Sequence, residues 1–124
     1  MKVLAYSRTS SKITAPAKSV SLEFLLQNSD FISLHSPLTP ETTNLINEES
    51  LKLVKNGSML INTARGPLVD EVAVAKALKT GKLSVFAADV LSKEPMSKDC
   101  PLLGFENTII TPHVAWAGFE TRQR

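Results

Sequence analysis

With 124 residues the chain has room for one domain and one core, and a net charge of +2, with acids and bases interspersed, offers no basic stripe of the kind nucleic acid needs. The composition, 43% hydrophobic and 21% charged, is ordinary for a globular protein, and the longest apolar runs are strand-sized, too short for a membrane-spanning helix. The opening "MKVLAYSRTS" lacks the long apolar stretch and cleavage site of a signal peptide, so a cytoplasmic location is expected. One cysteine, Cys100, excludes an internal disulfide framework, and two histidines, His35 and His113, are too few for a zinc site; no metal is expected.

In chain order, "KVLAY" (residues 2–6) reads as a first strand. "SLEFLLQNS" follows as a helix with Ser21 as its N-cap and Leu22, Leu25 and Leu26 on one face. "FISLH" (residues 31–35) is a second strand, ended by the two prolines of "SPLTPE". "NEESLKLV" (residues 47–54) reads as a short helix capped by Asn47, and "SMLINTA" (residues 58–64) as a third strand. "DEVAVAKALKTG" is the clearest helix, with acids at its start, lysines in its last turns and Gly81 at its end. "LSVFAADV" (residues 83–90) is a fourth strand and residues 108–111 of "NTIITPH" a fifth. A last helix begins near Gly118 or Phe119 and runs to Arg124.

Apolar strands separated by helices predict a parallel sheet of about five strands, covered on both faces: a doubly wound α/β domain. In such a sheet ligands bind at the carboxyl ends of the strands. Ser7 and Arg8, His35, Thr63 to Gly66, Asp89 and Glu94, and His113 all fall there. Arg65, delivered by a buried-looking strand onto a Gly-Pro turn in "SMLINTARGPLVDEVAVAKAL", reads as an anion clamp or as a plain turn residue. Glu94 and His113 read as an acid–base pair or as a structural ion-pair network, His35 as structural or cofactor-lining, and "TPETT" as a polar loop. Residues 91–106 form the one long connection without helical periodicity, a type that is often functional.

"NTARGPLVDE", "AADVLSKEP" and "TPHVAW", in this order and spacing, resemble the D-isomer-specific 2-hydroxyacid dehydrogenases. "LHSPLTPETTNLINEESLKLVKNGSMLINTARG" resembles the preceding part of the same family's cofactor domain, so the resemblance covers essentially the whole chain. The "AW" after His113 leans towards the glycerate dehydrogenase and hydroxypyruvate reductase branch. The resemblance implies a Rossmann-like fold, an NAD(P) cofactor and a small 2-oxo or 2-hydroxy acid substrate. It implies catalytic roles for Arg65 on the substrate carboxylate, His113 as proton donor and acceptor, and Glu94 as the hydrogen-bond partner of His113. Asp89 would contact the nicotinamide carboxamide, Thr63, Ala64 and Arg65 would line the nicotinamide side, and Pro37 and Thr42 would flank the adenosine and phosphates.

These residue types suit hydride chemistry. Hydride arriving at C2 of a 2-oxo acid leaves charge on oxygen that must be protonated. A guanidinium matches a carboxylate bidentately and stays charged. An imidazole gives and takes a proton near neutral pH, and a carboxylate against its second nitrogen fixes the tautomer. Arg8 and the lack of an acid in "YSRT" at the end of the first strand predict that NADP is accepted, and preferred over NAD.

The family's glycine-rich G-x-G-x-x-G loop with its preceding strand, and its substrate domain, have no counterpart; the glycines stand at 57, 66, 81, 104 and 118. Residues 1–124 are therefore expected to be a partial NAD(P)-binding domain, a piece of an enzyme that binds cofactor weakly and does not turn over alone. The alternative is a non-catalytic module of the same fold, as the C-terminal binding protein corepressors resemble this family. The missing strand is expected between residues 2–6 and 58–64. The unpaired backbone it leaves predicts a homo-oligomer, most simply a dimer, joined at the first strand or the sheet edges beside it.

Overall fold

Two short parallel strands open the computed structural model, which describes residues 1–9 and 13–122. Strand β1 (Leu4–Ala5) pairs with β2 (Lys18–Ser19) and with nothing else among the described residues. Helix α1 (Leu22–Asn28) follows, its first turn closed by the Ser21 hydroxyl, which accepts the Phe24 N–H at 3.2 Å. Next come β3 (Phe31–Leu34) and α2 (Glu48–Leu53). At the start of α2 the Asn47 side chain accepts the Ser50 N–H while the Ser50 hydroxyl accepts the Asn47 N–H, a reciprocal capping box.

The second half continues the alternation. β4 (Ser58–Asn62) leads through a single 3-10 turn at Gly66–Leu68 into α3 (Glu71–Lys79). Asp70 caps α3 by accepting from the Val72 and Ala73 N–H groups. Gly81, just past the other end, takes a left-handed φ of +74° that other residues adopt at a cost. β5 (Leu83–Ala88) and β6 (Thr108–Ile110) complete the sheet, and α4 (Phe119–Arg122) is the last described element. The remainder of the predicted last helix, Gln123 and Arg124, lies outside the described residues. No helix among the described residues is long and apolar enough to cross a membrane.

β3 to β6 form one parallel sheet in the order β3-β4-β5-β6. α1 packs on α2, α2 on α3, and α3 on β5, so the three helices make one contiguous layer. Beneath it lie Ile32, Leu60, Val74, Leu83 and Phe86, all at most 3% exposed. Burying a side chain such as Phe86 contributes about 1.5–3 kcal/mol. This core holds the carboxyl ends of four strands in a fixed row.

Three expectations change. The predicted five-stranded sheet has four strands, because residues 2–6 yield only two paired residues and those pair with Lys18–Ser19, a strand the sequence pattern did not mark. Cover on both faces is met on one: α1, α2 and α3 share a side, while across the sheet Phe31 and Ile109 stay 65% and 60% exposed and Met59, Ile61 and Val85 half-buried. The open edge is not that of residues 58–64. β4 is paired on both sides, Leu60 lying between Ile32 and Phe86, so the strand edge facing the gap belongs to β3. Between β1 and β3 lies a cleft of about 1170 Å³ lined by Val3, Leu4, Leu25, Ile32, Leu34 and Ile46 among others.

Candidate functional site

Sheet order turns scattered residues into a row. His35 follows β3, Thr63 to Arg65 follow β4, Asp89 follows β5 and His113 follows β6, so the row spans three strand spacings, about 14 Å. In an open parallel sheet this is the ligand edge.

The turn after β4 is built by Asn62, a residue the sequence pattern did not single out. Its side chain is fully buried; the amide donates to the Arg65 carbonyl at 2.9 Å and its oxygen accepts the Ala64 N–H at 3.1 Å. Both of its polar ends are satisfied, and the pair of bonds ends β4 two residues earlier than predicted. The signal was a polar residue closing an apolar strand. Arg65 itself is exposed, with its guanidinium turned back to donate to the Ala64 carbonyl at 2.7 Å. Gly66 then packs directly on the backbone of Leu91 and Ser92. Glu71, at the start of α3, accepts the Ser92 N–H at 2.7 Å. The loop after β5 is thus clamped by residues from the turn and helix before it.

That loop carries Glu94. One carboxylate oxygen accepts the Leu91 N–H at 2.9 Å and the other lies 2.8 Å from Nδ1 of His113. Both side chains remain partly open, 38% and 44% exposed respectively. With Nδ1 engaged, Nε2 is the ring nitrogen left to exchange a proton with a ligand. Asp89, 5% exposed, accepts the Thr111 hydroxyl and the Val114 and Ala115 N–H groups from the loop after β6. Asp89, Glu94, Met96, Thr111 and His113 line one pocket of about 400 Å³.

The remaining predicted residues separate in space. Ser7, Arg8, His35, Pro37 and Thr42 line the large cleft beside β3. Arg8 sits 3.7 Å from the Glu41 carboxylate, both side chains largely in solvent, a pair of little energetic weight. The Thr42 hydroxyl is spent inside its own loop, donating to the Pro37 carbonyl and accepting the Thr39 N–H, each at 2.8 Å. His35 lies 2.8 Å from the Ser33 hydroxyl. Thr63, Ala64 and Arg65 line neither of these two cavities. The guanidinium occupies the next position along the same edge, folded onto its own chain.

The carboxylates make the site sensitive to acid. The hydrogen bond from His113, and then that from the Leu91 N–H, hold the Glu94 carboxyl below its usual range against the effect of burial. Burial raises the pKa of Asp89, but the hydrogen bonds from Thr111, Ala115 and Val114 outweigh it and the net shift is downward. Both groups are more acidic folded than unfolded. Their stabilisation is therefore complete above the unfolded values, 4.5 and 3.8, and is lost as pH falls through the lower folded ones. Thermal melts are expected to change little between about pH 7 and 5 and to drop below about pH 4, with a shallower drop in Glu94→Gln. An identical acid profile in that variant would show that Glu94 does not contribute.

The model of the family described as "D-isomer specific 2-hydroxyacid dehydrogenase, NAD binding domain" matches residues 1–115. A hydroxypyruvate reductase of Blautia hydrogenotrophica is 44% identical over 126 aligned positions that take in the whole chain and 39% of that relative. Among solved structures, the TT0316 protein of Thermus thermophilus superposes with a TM-score of 0.91 at 45% identity, over all of this chain and 39% of that one. A D-isomer specific 2-hydroxyacid dehydrogenase of Xanthobacter autotrophicus, in complex with NADPH and MES, gives 0.86 at 36% identity, covering 91% of this chain and 48% of its own. The chain spans about two fifths of the hydroxypyruvate reductase it matches.

Proposed function

Because the chain belongs to the D-isomer specific 2-hydroxyacid dehydrogenase family, we propose that it forms the NAD(P)-binding domain of a cytoplasmic oxidoreductase interconverting small D-2-hydroxy acids and 2-oxo acids. The substrates are of the glycerate, hydroxypyruvate and glyoxylate kind. The observation that carries this reading is the 2.8 Å contact of Glu94 with His113 at the ligand edge of the sheet, between the loops after β5 and β6, with Arg65 after the neighbouring β4.

The residues present fit one side of a dinucleotide. Ser7 and Arg8, just past β1, and His35, Pro37 and Thr42, past β3, line the carboxyl-end rim of the cleft, where an adenosine moiety would sit beyond the gap between the strands, and Thr63, Ala64 and Asp89 continue along the edge towards His113. NAD(P)H, when bound, supplies the hydride that reaches C2 of the oxo acid. Arg65 swings off the Ala64 carbonyl to pair with the substrate carboxylate through both guanidinium nitrogens. His113 gives its Nε2 proton to the C2 oxygen as that oxygen gains charge, and in the reverse direction takes it back. Glu94 holds the ring in that orientation through Nδ1.

NADP(H) is the preferred cofactor in this reading, since Arg8 lines the open cleft, its ion-pair partner among the described residues, Glu41, is exposed and screened, and no acid ends the first strand. The assembly is a homo-oligomer, most simply a dimer, in which a partner's strand enters the gap beside β3. The test uses the longest form that expresses as folded protein: kcat/KM for hydroxypyruvate and glyoxylate with NADPH and with NADH, and light scattering on the same sample. Turnover of either acid, at least as efficient with NADPH, and a dimer mass are expected. A tenfold preference for NADH would overturn the role of Arg8, and a monomer at micromolar concentration would overturn the assembly. In a form that includes a substrate domain, cofactor binding without turnover of either acid would replace the enzyme with a binding module.

A further inference from the structure

His113 occupies a backbone conformation that histidine does not favour. Its φ is +55°, in the left-handed region, where residues other than glycine are held only by their surroundings. Its own loop supplies two restraints: the His113 N–H donates to the Thr111 carbonyl at 3.0 Å, and the Trp116 indole donates to the His113 carbonyl at 2.9 Å. Thr111 is itself held to the sheet, its N–H donating to the Ala88 carbonyl of β5 at 2.9 Å, but neither contact ties the chain after His113 to the sheet. The contact with Glu94 acts on the ring and leaves the backbone unconstrained.

Asp89 does what those contacts do not. It is the first residue after β5, and its N–H donates to the Asn62 carbonyl of β4 at 3.0 Å, so its backbone belongs to the rigid sheet. Its side chain reaches across to the loop after β6. Oδ1 accepts the Thr111 hydroxyl and, at 2.9 Å, the Val114 N–H; Oδ2 accepts the Ala115 N–H at 2.8 Å. Thr111, Val114 and Ala115 bracket His113 on both sides. A buried carboxylate with three donors converging on it is satisfied only while those donors stay in place, and bonds to a charged acceptor are among the stronger ones.

We propose that Asp89 is the positioning residue of the His113 loop, fixing the left-handed backbone at His113 and thereby the direction in which its ring faces Glu94. This is a role distinct from contact with a cofactor. It rests on the proposed function only in treating His113 as the proton-transferring group; the geometry it asserts is measurable without turnover.

Amide hydrogen exchange and ¹⁵N NMR of the 124-residue chain test it. Asp89→Asn keeps the size and burial of the side chain but replaces one acceptor oxygen by a donor nitrogen. Whichever way the amide is turned, one of the Val114 and Ala115 N–H groups then faces a donor. Exchange at one or both of these amides is expected to accelerate by about 10–100-fold. The Leu60 and Phe86 amides in the sheet are expected to keep their rates, and the His113 Nδ1 resonance to move away from its Glu94-bonded position. Unchanged exchange at both Val114 and Ala115, an unmoved His113 resonance, or an equal acceleration at Leu60 and Phe86 would each overturn the proposal. Should Asp89→Asn fail to fold, Thr111→Val removes one of the three donors and leaves the charge in place. Several-fold faster exchange at Val114 with a shifted His113 resonance supports the proposal, and no change in either overturns it. Absence of cofactor binding in the longer form used for kinetics would sink the dehydrogenase reading and leave these measurements valid.

Discussion

Replacing Gly66 by alanine is expected to destabilise the fold by about 3 kcal/mol or more, at the upper end of the cost of overpacking, and to lower the melting temperature by about 10 °C or more. A Cβ built there would lie 2.0 Å from the Leu91 carbonyl carbon, 2.1 Å from its oxygen and 2.4 Å from the Ser92 nitrogen. All three are backbone atoms, so no side chain can rotate out of the way. The turn after β4 and the loop after β5 must move apart, and the Ser92 N–H bond to Glu71 lies in the path of that movement. Gly57→Ala is the comparison. A Cβ at Gly57 meets open space, and its cost comes only from a φ of +78°, about 1–2 kcal/mol. Denaturant melts of both variants measure the difference; a Gly66→Ala loss no larger than that of Gly57→Ala would mean that the two loops separate easily. Since the same loops carry Arg65 and Glu94, a variant that folds should also lose the Glu94–His113 contact.

In a form that turns over hydroxypyruvate, His113→Ala is expected to lower kcat by about 10²–10⁴-fold, the contribution of one well-placed acid–base group, while KM changes little. In the proposed mechanism the imidazole proton is transferred as charge develops on the substrate oxygen, so its loss would be felt in the transition state far more than in the bound ground state. Arg65→Lys should behave differently. It keeps the charge but loses the bidentate fork, and in the proposed mechanism the guanidinium pairs with the carboxylate before as well as during reaction, so KM should rise more than kcat falls. A His113→Ala variant with kcat within tenfold of the parent would remove His113 from the proton-transfer role. Steady-state kinetics of the two variants side by side therefore separates positioning of the acid from transfer of the proton.

Much of this was legible along the chain. The caps at Ser21, Asn47 and Asp70, the left-handed Gly81 and the apolar runs of β3, β4 and β5 are set by residues within a few positions of one another, so the sequence alone determined where helices and strands begin. It also determined which residues stand at the carboxyl ends of strands, Arg65, Asp89 and His113 among them, because that follows once the strands are placed. Strand order is another matter. β1 leaves the main sheet for β2, and β4 sits between β3 and β5, through backbone bonds between segments up to 28 residues apart, as Phe31 is from Met59, that no local pattern encodes. The same holds for the details of the site. Asn62 looked like an interior residue of a strand running to Ala64 and is the post that holds the Arg65 turn; Gly66 looked like part of a turn and is a point of backbone contact with Leu91. Asp89 meets three donors 22 to 26 residues away. Local propensity and capping act over one turn of chain, whereas the satisfaction of a buried polar group or the closeness of two backbones depends on which distant segments the packed sheet brings together, and only the tertiary structure decided those.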